Sequence, residues 1–337
     1  MKETSKTTVD VVRDQAIEQE AALPFAQRLR ERLSDVIAQL TAFGALIIIF
    51  VFLTIASPEF LTFNNIFNII SQTTVTAIIA VGMTFVIISA GIDLSVGSIA
   101  ALGGMVGTLV MAHAHVDWSI GVIVGTLIGG IIGLINGLLI TKAHLNPFIA
   151  TLGMMSVARG LVYLSTNAVA VYNLQQSFAI LGNGSIEGVP VPLIVLVVVA
   201  VLAHFLLTRT RFGRHTYAIG SNPEAARLSG ISIVLVLILI YVLQGLLAGF
   251  GGMIASSRVI SGQPNFGVGL ELDVIAATVI GGASLFGGQG TIIGTLIGAF
   301  LIALIRNGAV LLNINDFYQD VIIGVVIWLA VYWDQFR

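Results

Sequence analysis

The chain has 337 residues, of which 57% are hydrophobic and only 9% charged, and its mean hydropathy is +1.01. A soluble domain carries about 25% charged residues, so a soluble globular fold is excluded. With no cysteine and a formal net charge of −2, there is no disulfide or thiolate chemistry and no nucleic-acid footprint.

Residues 1–35 hold an unusual share of the charge, including Lys2, Glu3, Lys6, Asp10, Arg13, Asp14, Glu18, Glu20, Arg28, Arg30, Glu31, Arg32 and Asp35. They lack the short basic start, apolar core and small-residue cleavage site of a signal peptide. They read as a cytoplasmic extension, helical from about Glu18. Residues 36–337 then form one transmembrane domain. A bilayer core requires roughly 20 apolar residues per helix, and ten segments qualify: 36–57, 70–90, 94–113, 118–141, 147–165, 190–208, 231–256, 273–286, 291–312 and 318–334. The eighth is short and broken by glycines. PEFLTFNNIFNII (58–70) reads as a short interfacial helix entering the second span.

Placing both termini inside leaves only Arg159, Arg258 and Arg306, of 15 Lys and Arg, within spans or outside. That is the positive-inside bias. The outer segments carry Glu59, Asp117, Glu187, Glu271, Asp273 and Asp316, an acidic set suited to an outside partner. The longest outer loop is 166–189. The longest inner loop after the tail is 209–230, in which NPEAARL predicts a short helix with Asn222 or Ser221 as N-cap and Pro223 at its first position.

GTLIG occurs at 125–129 and 294–298, in spans of opposite direction, which favours an inverted repeat of the kind transporters use. A rival match of Gly91, Leu94 and Gly97 with Gly282, Leu285 and Gly288 would make it parallel. In the fourth span Gly121, Gly125, Gly129, Gly133 and Gly137 share one stripe, which lets another backbone approach closely. Asp93, in GIDLSVGS, either caps the third span or takes part in gating. Arg159 lies mid-span, where a cation needs a carbonyl or carboxylate partner. Asn136, Gln244 and Asn307 are expected to cross-bond helices. Asn146-Pro147-Phe148 is a cap opening the fifth span. Gln72, Asp93, Asn146, Phe148, Arg159 and Asp273 are the candidates for a pathway or gate. His113 and His115 lie two apart, share no helix face, and predict no metal site. The chain has no GxxxxGK[ST] nucleotide motif, no HExxH and no acid–base cluster. It therefore reads as a non-enzyme without a cofactor of its own.

Taken together, FNNIFNI (63–69), AVGMTFVI (80–87), GIDLSVGS (91–98), FIATLGMMSVARGL (148–161), RFGRHTYAIGSNPEAARLSGI (211–231), the run from Ser261 to Ala299 and NDFYQDVI (315–322) are specific. From about residue 36 onward the chain resembles the permease subunits of bacterial ABC sugar importers, the ribose/xylose/arabinose/galactoside group, with the ribose members nearest. The resemblance implies an all-α, ten-span permease of the vitamin B12 importer (type II) class in the bacterial inner membrane. It implies a homodimer around a central pathway, a separate cytoplasmic ATPase using ATP and Mg, and a periplasmic or extracellular sugar-binding protein. Arg214, Gly220, Asn222, Glu224, Ala225 and Arg227 fall where that family couples to its ATPase. The implied solute is a monosaccharide, ribose or a relative. Alternatives are a branched-chain amino acid, a nucleoside or autoinducer-2, and outside transport of this kind a membrane enzyme or flippase.

Overall fold

The computed structural model describes residues 25–334; the expected helical start near Glu18 lies outside the described residues. The chain runs through α1 (Phe25–Ala56), α2 (Phe63–Ile88), α3 (Val96–Ala114), α4 (Trp118–Thr141), α5 (Pro147–Thr166), the one-turn α6 (Ile180–Asn183), α7 (Val191–Arg209), α8 (Arg211–Ser221), α9 (Pro223–Leu228), α10 (Ile233–Val259), α11 (Leu270–Ile280), α12 (Ile292–Leu311) and α13 (Asp316–Asp334). A small antiparallel hairpin, β1 (Ser185–Ile186) with β2 (Val189–Pro190), follows α6. Seven helices, α2, α3, α4, α5, α7, α10 and α12, are long and apolar enough to cross a membrane. α1 and α13 contribute the shorter apolar stretches Thr41–Ala56 and Phe317–Leu329. The protein is a multi-pass, mostly helical membrane protein.

Three expectations need correction. The segment 58–70 is not a separate interfacial helix: Thr62 accepts from the Asn65 N–H as N-cap, and α2 runs unbroken from Phe63. No Gly or Pro lies between Phe63 and Val81, so the interfacial segment propagates straight into the span. The eighth apolar segment yields α11, only 11 residues long. It stops because Gly282, Gly287, Gly288 and Gly290 all take positive φ in the turn that follows. The loop 209–230 holds two helices, not one. Thr210 caps α8 by accepting from the Gly213 N–H, and Asn222 caps α9 by accepting from the Ala225 N–H.

α2 is the hub: every residue from Ala77 to Ile88 is buried, with α10, α12, α11 and α7 packed around it. α4 lies along α10 and α3, and its glycine stripe is the reason. A Cβ on Gly125 would sit 2.5 Å from the Gly103 carbonyl oxygen, and one on Gly103 would sit 2.7 Å from that of Gly125. Gly121 and Gly107 face each other the same way, at 2.8 and 2.6 Å. Further along, Gly129 and Gly245 present Cα to each other's carbonyl, Gly133 abuts the Tyr241 carbonyl, and Gly137 would place a Cβ 2.9 Å from the Ile238 Cα. Gly121, Gly125, Gly129 and Gly133 thus each bring a Cα–H against a facing carbonyl, a weak hydrogen bond that only close backbones can form.

Candidate translocation and coupling site

Two non-helical segments reach into the bundle. The first, 89–95, joins α2 to α3, and Ser89, Gly91, Asp93 and Ser95 on it are buried. Irregular backbone at membrane depth is tolerated only where protein surrounds it or it lines a cavity, so its bonds can be traced one by one. The Tyr241 hydroxyl donates to the Ile92 carbonyl at 3.3 Å. That tyrosine is eight residues into α10, about 12 Å along the helix. The Leu94 N–H donates to Thr151 Oγ1 on α5 at 3.1 Å. Asp93 Oδ1 accepts from the Ser95 N–H at 2.9 Å and from the Ser95 hydroxyl at 2.5 Å. Asn136 Nδ2 on α4 donates to Ser95 Oγ at 2.9 Å. Asp93 is therefore not the cap of α3. Ser95 holds that position, and Asp93 closes the turn before it. Asp93 Oδ2 and Asn136 Oδ1 have no hydrogen-bond partner among the described residues.

The second segment, 260–269, joins α10 to α11 and reaches the first turn of α3, where Gly267 and Gly97 contact each other backbone to backbone. Arg159 holds it: Nη1 donates to the Phe266 carbonyl at 2.7 Å and to the Pro264 carbonyl at 3.1 Å. The mid-span cation is thus clamped by two carbonyls. Tyr163, one turn along α5, donates to Asn265 Oδ1 at 3.4 Å, and the Glu271 carboxylate lies beside Gly97. On the same helix a Cβ at Gly153 or Gly160 would meet nothing within 4 Å, so that face of α5 is open.

The remaining candidates separate. Asn146 caps α5 by accepting from the Phe148 N–H at 2.9 Å, while Phe148 is exposed and Gln72 is exposed on α2. Asp273 belongs to a different arrangement, one the sequence did not reveal. Arg306 on α12 grips it with two parallel bonds, Nε to Oδ2 at 2.9 Å and Nη2 to Oδ1 at 2.8 Å. Next along α12, Asn307 and Asn65 of α2 exchange amide bonds at 2.7 and 3.1 Å. The expected cross-bonding fails at Gln244. It is fully buried, neither side-chain atom has a partner among the described residues, and its Oε1 rests on the Gly82 Cα. No group of three or more His, Cys, Asp or Glu among the described residues could hold a metal ion.

The α8–α9 pair sits at the end of the bundle where α2 stops. Arg214, Asn222, Glu224, Ala225 and Arg227 are exposed there. Arg227 Nε donates to Glu224 Oε2 at 3.1 Å, and that bond holds the Glu224 carboxyl below its usual range. Gly220 is buried instead. A Cβ on it would overlap the Ile88 carbonyl and lie 2.6 Å from the Gly288 nitrogen. The Gly288 N–H donates to the Ile88 carbonyl at 2.8 Å, and the Tyr217 hydroxyl donates to the Gly290 carbonyl at 2.6 Å. Three segments, the end of α2, the end of α8 and the α11–α12 turn, therefore meet in one backbone joint.

Residues 65–331 match the family described as the branched-chain amino acid transport system / permease component. The chain belongs to this permease family. It is 45% identical to the ribose import permease protein of Bacillus subtilis over 92% of this chain and 96% of that protein. It is 43% identical to the ribose import permease protein of Escherichia coli K12, over 86% and 92%. The D-allose transport system permease protein of the same strain is 39% identical over 88% and 90%. No solved structure matches the chain. Proteins of this kind transport and are not enzymes.

Proposed function

We propose that this chain is the transmembrane subunit of an ATP-driven importer for a monosaccharide, ribose or a close relative, in a bacterial inner membrane. The observation that carries this reading is the match, over nearly the full length of both chains, to ribose import permeases. The family description also covers branched-chain amino acids, but the relatives named for ribose, arabinose and allose favour a sugar.

Two copies would form the pathway in a type II arrangement of ten spans per subunit, with both termini cytoplasmic. The open face of α5, with Gly153, Ser156 and Gly160, suits lining such a path. Arg159 holds the segment 260–269 beside it, and Asp93, Gln72, Asn146, Phe148 and Asp273 remain candidates of the same kind. A separate ATPase using ATP and Mg would dock at α8–α9 through Arg214, Asn222, Glu224, Ala225 and Arg227. The joint at Gly220 would carry the stroke to α2 and α12, so that the pathway opens alternately to the two sides. A sugar-binding protein would deliver solute on the opposite side.

The test is complementation. The gene is expressed in a strain lacking its own ribose permease but retaining the ATPase and binding protein, and uptake of labelled ribose, allose, arabinose and leucine is followed. Restored ribose uptake supports the reading. Uptake of leucine alone would replace the sugar with an amino acid.

A further inference from the structure

Phe286 is 68% exposed in the turn between α11 and α12. The turn is closed on itself: the Ser284 N–H donates to the Gln289 carbonyl at 3.2 Å, the Gly287 N–H to the Ser284 carbonyl at 3.0 Å, and the Phe286 N–H to Ser284 Oγ at 3.2 Å. Phe286 is thus displayed at the tip of a built turn. That turn is fastened to the end of α8 through Gly287, Gly288 and Gly290: a Cβ on Gly287 would lie 2.8 Å from the Gly220 carbonyl oxygen. Phe286 therefore belongs to the same end of the molecule as α9, whichever way the chain is oriented. Leu228, the last residue of α9, is 77% exposed at that end as well. That end carries the exposed Glu224–Arg227 pair, which marks an aqueous surface and not hydrocarbon. A large exposed apolar side chain on a closed turn, at the same end as a charged and capped helix, is the form of an interface anchor ringed by polar contacts.

We propose that the turn 284–290 is a second docking element for the cytoplasmic ATPase, with Phe286 as its apolar anchor at the same end as Leu228 of α9. This rests on the coupling role proposed for α8–α9. The ATPase would then hold both the end of α8 and the start of α12, and the backbone joint at Gly220 would keep the two contacts in register.

The experiment uses the full-length protein in lipid nanodiscs and the purified ATPase subunit of the same importer. Phe286→Asp should weaken association about tenfold or more, as loss of a buried aromatic anchor does, with unchanged melting and an unchanged oligomeric state. Phe286→Ala should weaken it less. Because the chain has no cysteine, a fluorophore on Phe286→Cys reports the environment at this one position and should be shielded when the ATPase is added. Unchanged affinity in Phe286→Asp together with an unshielded fluorophore overturns the proposal. So does a loss of dimer mass or of membrane insertion in that variant, which would assign Phe286 to a second copy or to lipid. A Glu224→Ala/Arg227→Ala variant separates the two readings. If it loses association or coupling while the Phe286 variants do not, only the second contact fails; if neither responds, the coupling role of α8–α9 fails as well.

Discussion

Arg306 and Asp273 offer a quantitative test of how this bundle tolerates charge. The Asp273 side chain is 11% exposed and that of Arg306 35%, with the 74%-exposed Asp320 as a further acceptor 3.6 Å away. Breaking a buried pair by removing one partner costs about 3–5 kcal/mol, because the other charge stays buried. Arg306→Met strands the more buried carboxylate, so about 3 kcal/mol is expected. Asp273→Leu leaves a guanidinium that is still partly solvated and can turn to Asp320, so about 2 kcal/mol is expected. The double variant removes both charges and fills the space with apolar groups, and replacing a buried pair this way is often near neutral. A loss of about 2 kcal/mol or less is expected, which makes the coupling energy about 3 kcal/mol. Asp320→Asn should change stability by less than about 0.5 kcal/mol, as for an exposed pair. Equilibrium unfolding of the detergent-solubilised protein by sodium dodecyl sulfate gives all four values. A double variant as unstable as the sum of the singles would refute the argument, since it would mean that packing and not charge sets the cost.

Gly129→Ala should destabilise by roughly 1–3 kcal/mol, because its Cβ would lie 2.9 Å from the Gly249 Cα and neither backbone can give; Gly153→Ala, with nothing within 4 Å, should be neutral or gain up to about 1 kcal/mol, and equal losses at both in thermal melting would contradict this account. Arg159→Ala should lower folded yield, while Arg159→Lys should rescue it partly, because both carbonyls accept from the terminal Nη1, which an ammonium on the shorter lysine stem reaches less well; full rescue by Lys in size-exclusion profiles would show that charge alone matters. Glu224→Ala/Arg227→Ala should abolish sugar uptake while leaving membrane insertion unchanged, since both residues are exposed and hold no core contact; normal uptake would remove α9 from the coupling machinery.

What the sequence revealed depended on whether the signal was local. Helix ends were legible where a cap is written in adjacent residues: Asn146 before Pro147 and Asn222 before Pro223 both accept the N–H that their spacing predicts. The α4 stripe was legible because five glycines at one spacing define a face, although only the structure shows that α3 and α10 supply the opposing carbonyls. α8 escaped because RFGRHTYAIGS carries two glycines and a mixed polar face, and it is held by tertiary contacts such as the Tyr217–Gly290 bond. The Arg306–Asp273 and Asn65–Asn307 pairs join residues 33 and 242 positions apart, and no single-sequence pattern encodes such a pairing. The cap reading of Asp93 fell for a subtler reason. An Asx turn and an N-cap use the same side chain and the same backbone donors, and they differ only in where the helix begins.

α12 ties these observations together mechanically. Its 20 residues form a rod of about 30 Å, and its first turn follows directly from the turn that contacts α8. Along its length it is held to α11 by the Gly294–Gly281 and Gly298–Ala277 backbone contacts and by the Arg306–Asp273 pair. It is held to α2 by the Thr84–Thr295 hydroxyl bond at 2.7 Å and by the Asn65–Asn307 amide exchange. α11 and α12 share both the glycine contacts and the ion pair; α12 also packs along α2, where these polar side-chain bonds join them. Close-packed interfaces shift by sliding between discrete arrangements and do not stretch. Were the proposed docking at α8–α9 to displace Gly288, α11 and α12 would move as one body, and the bonds to exchange would include Thr84–Thr295 and Asn65–Asn307.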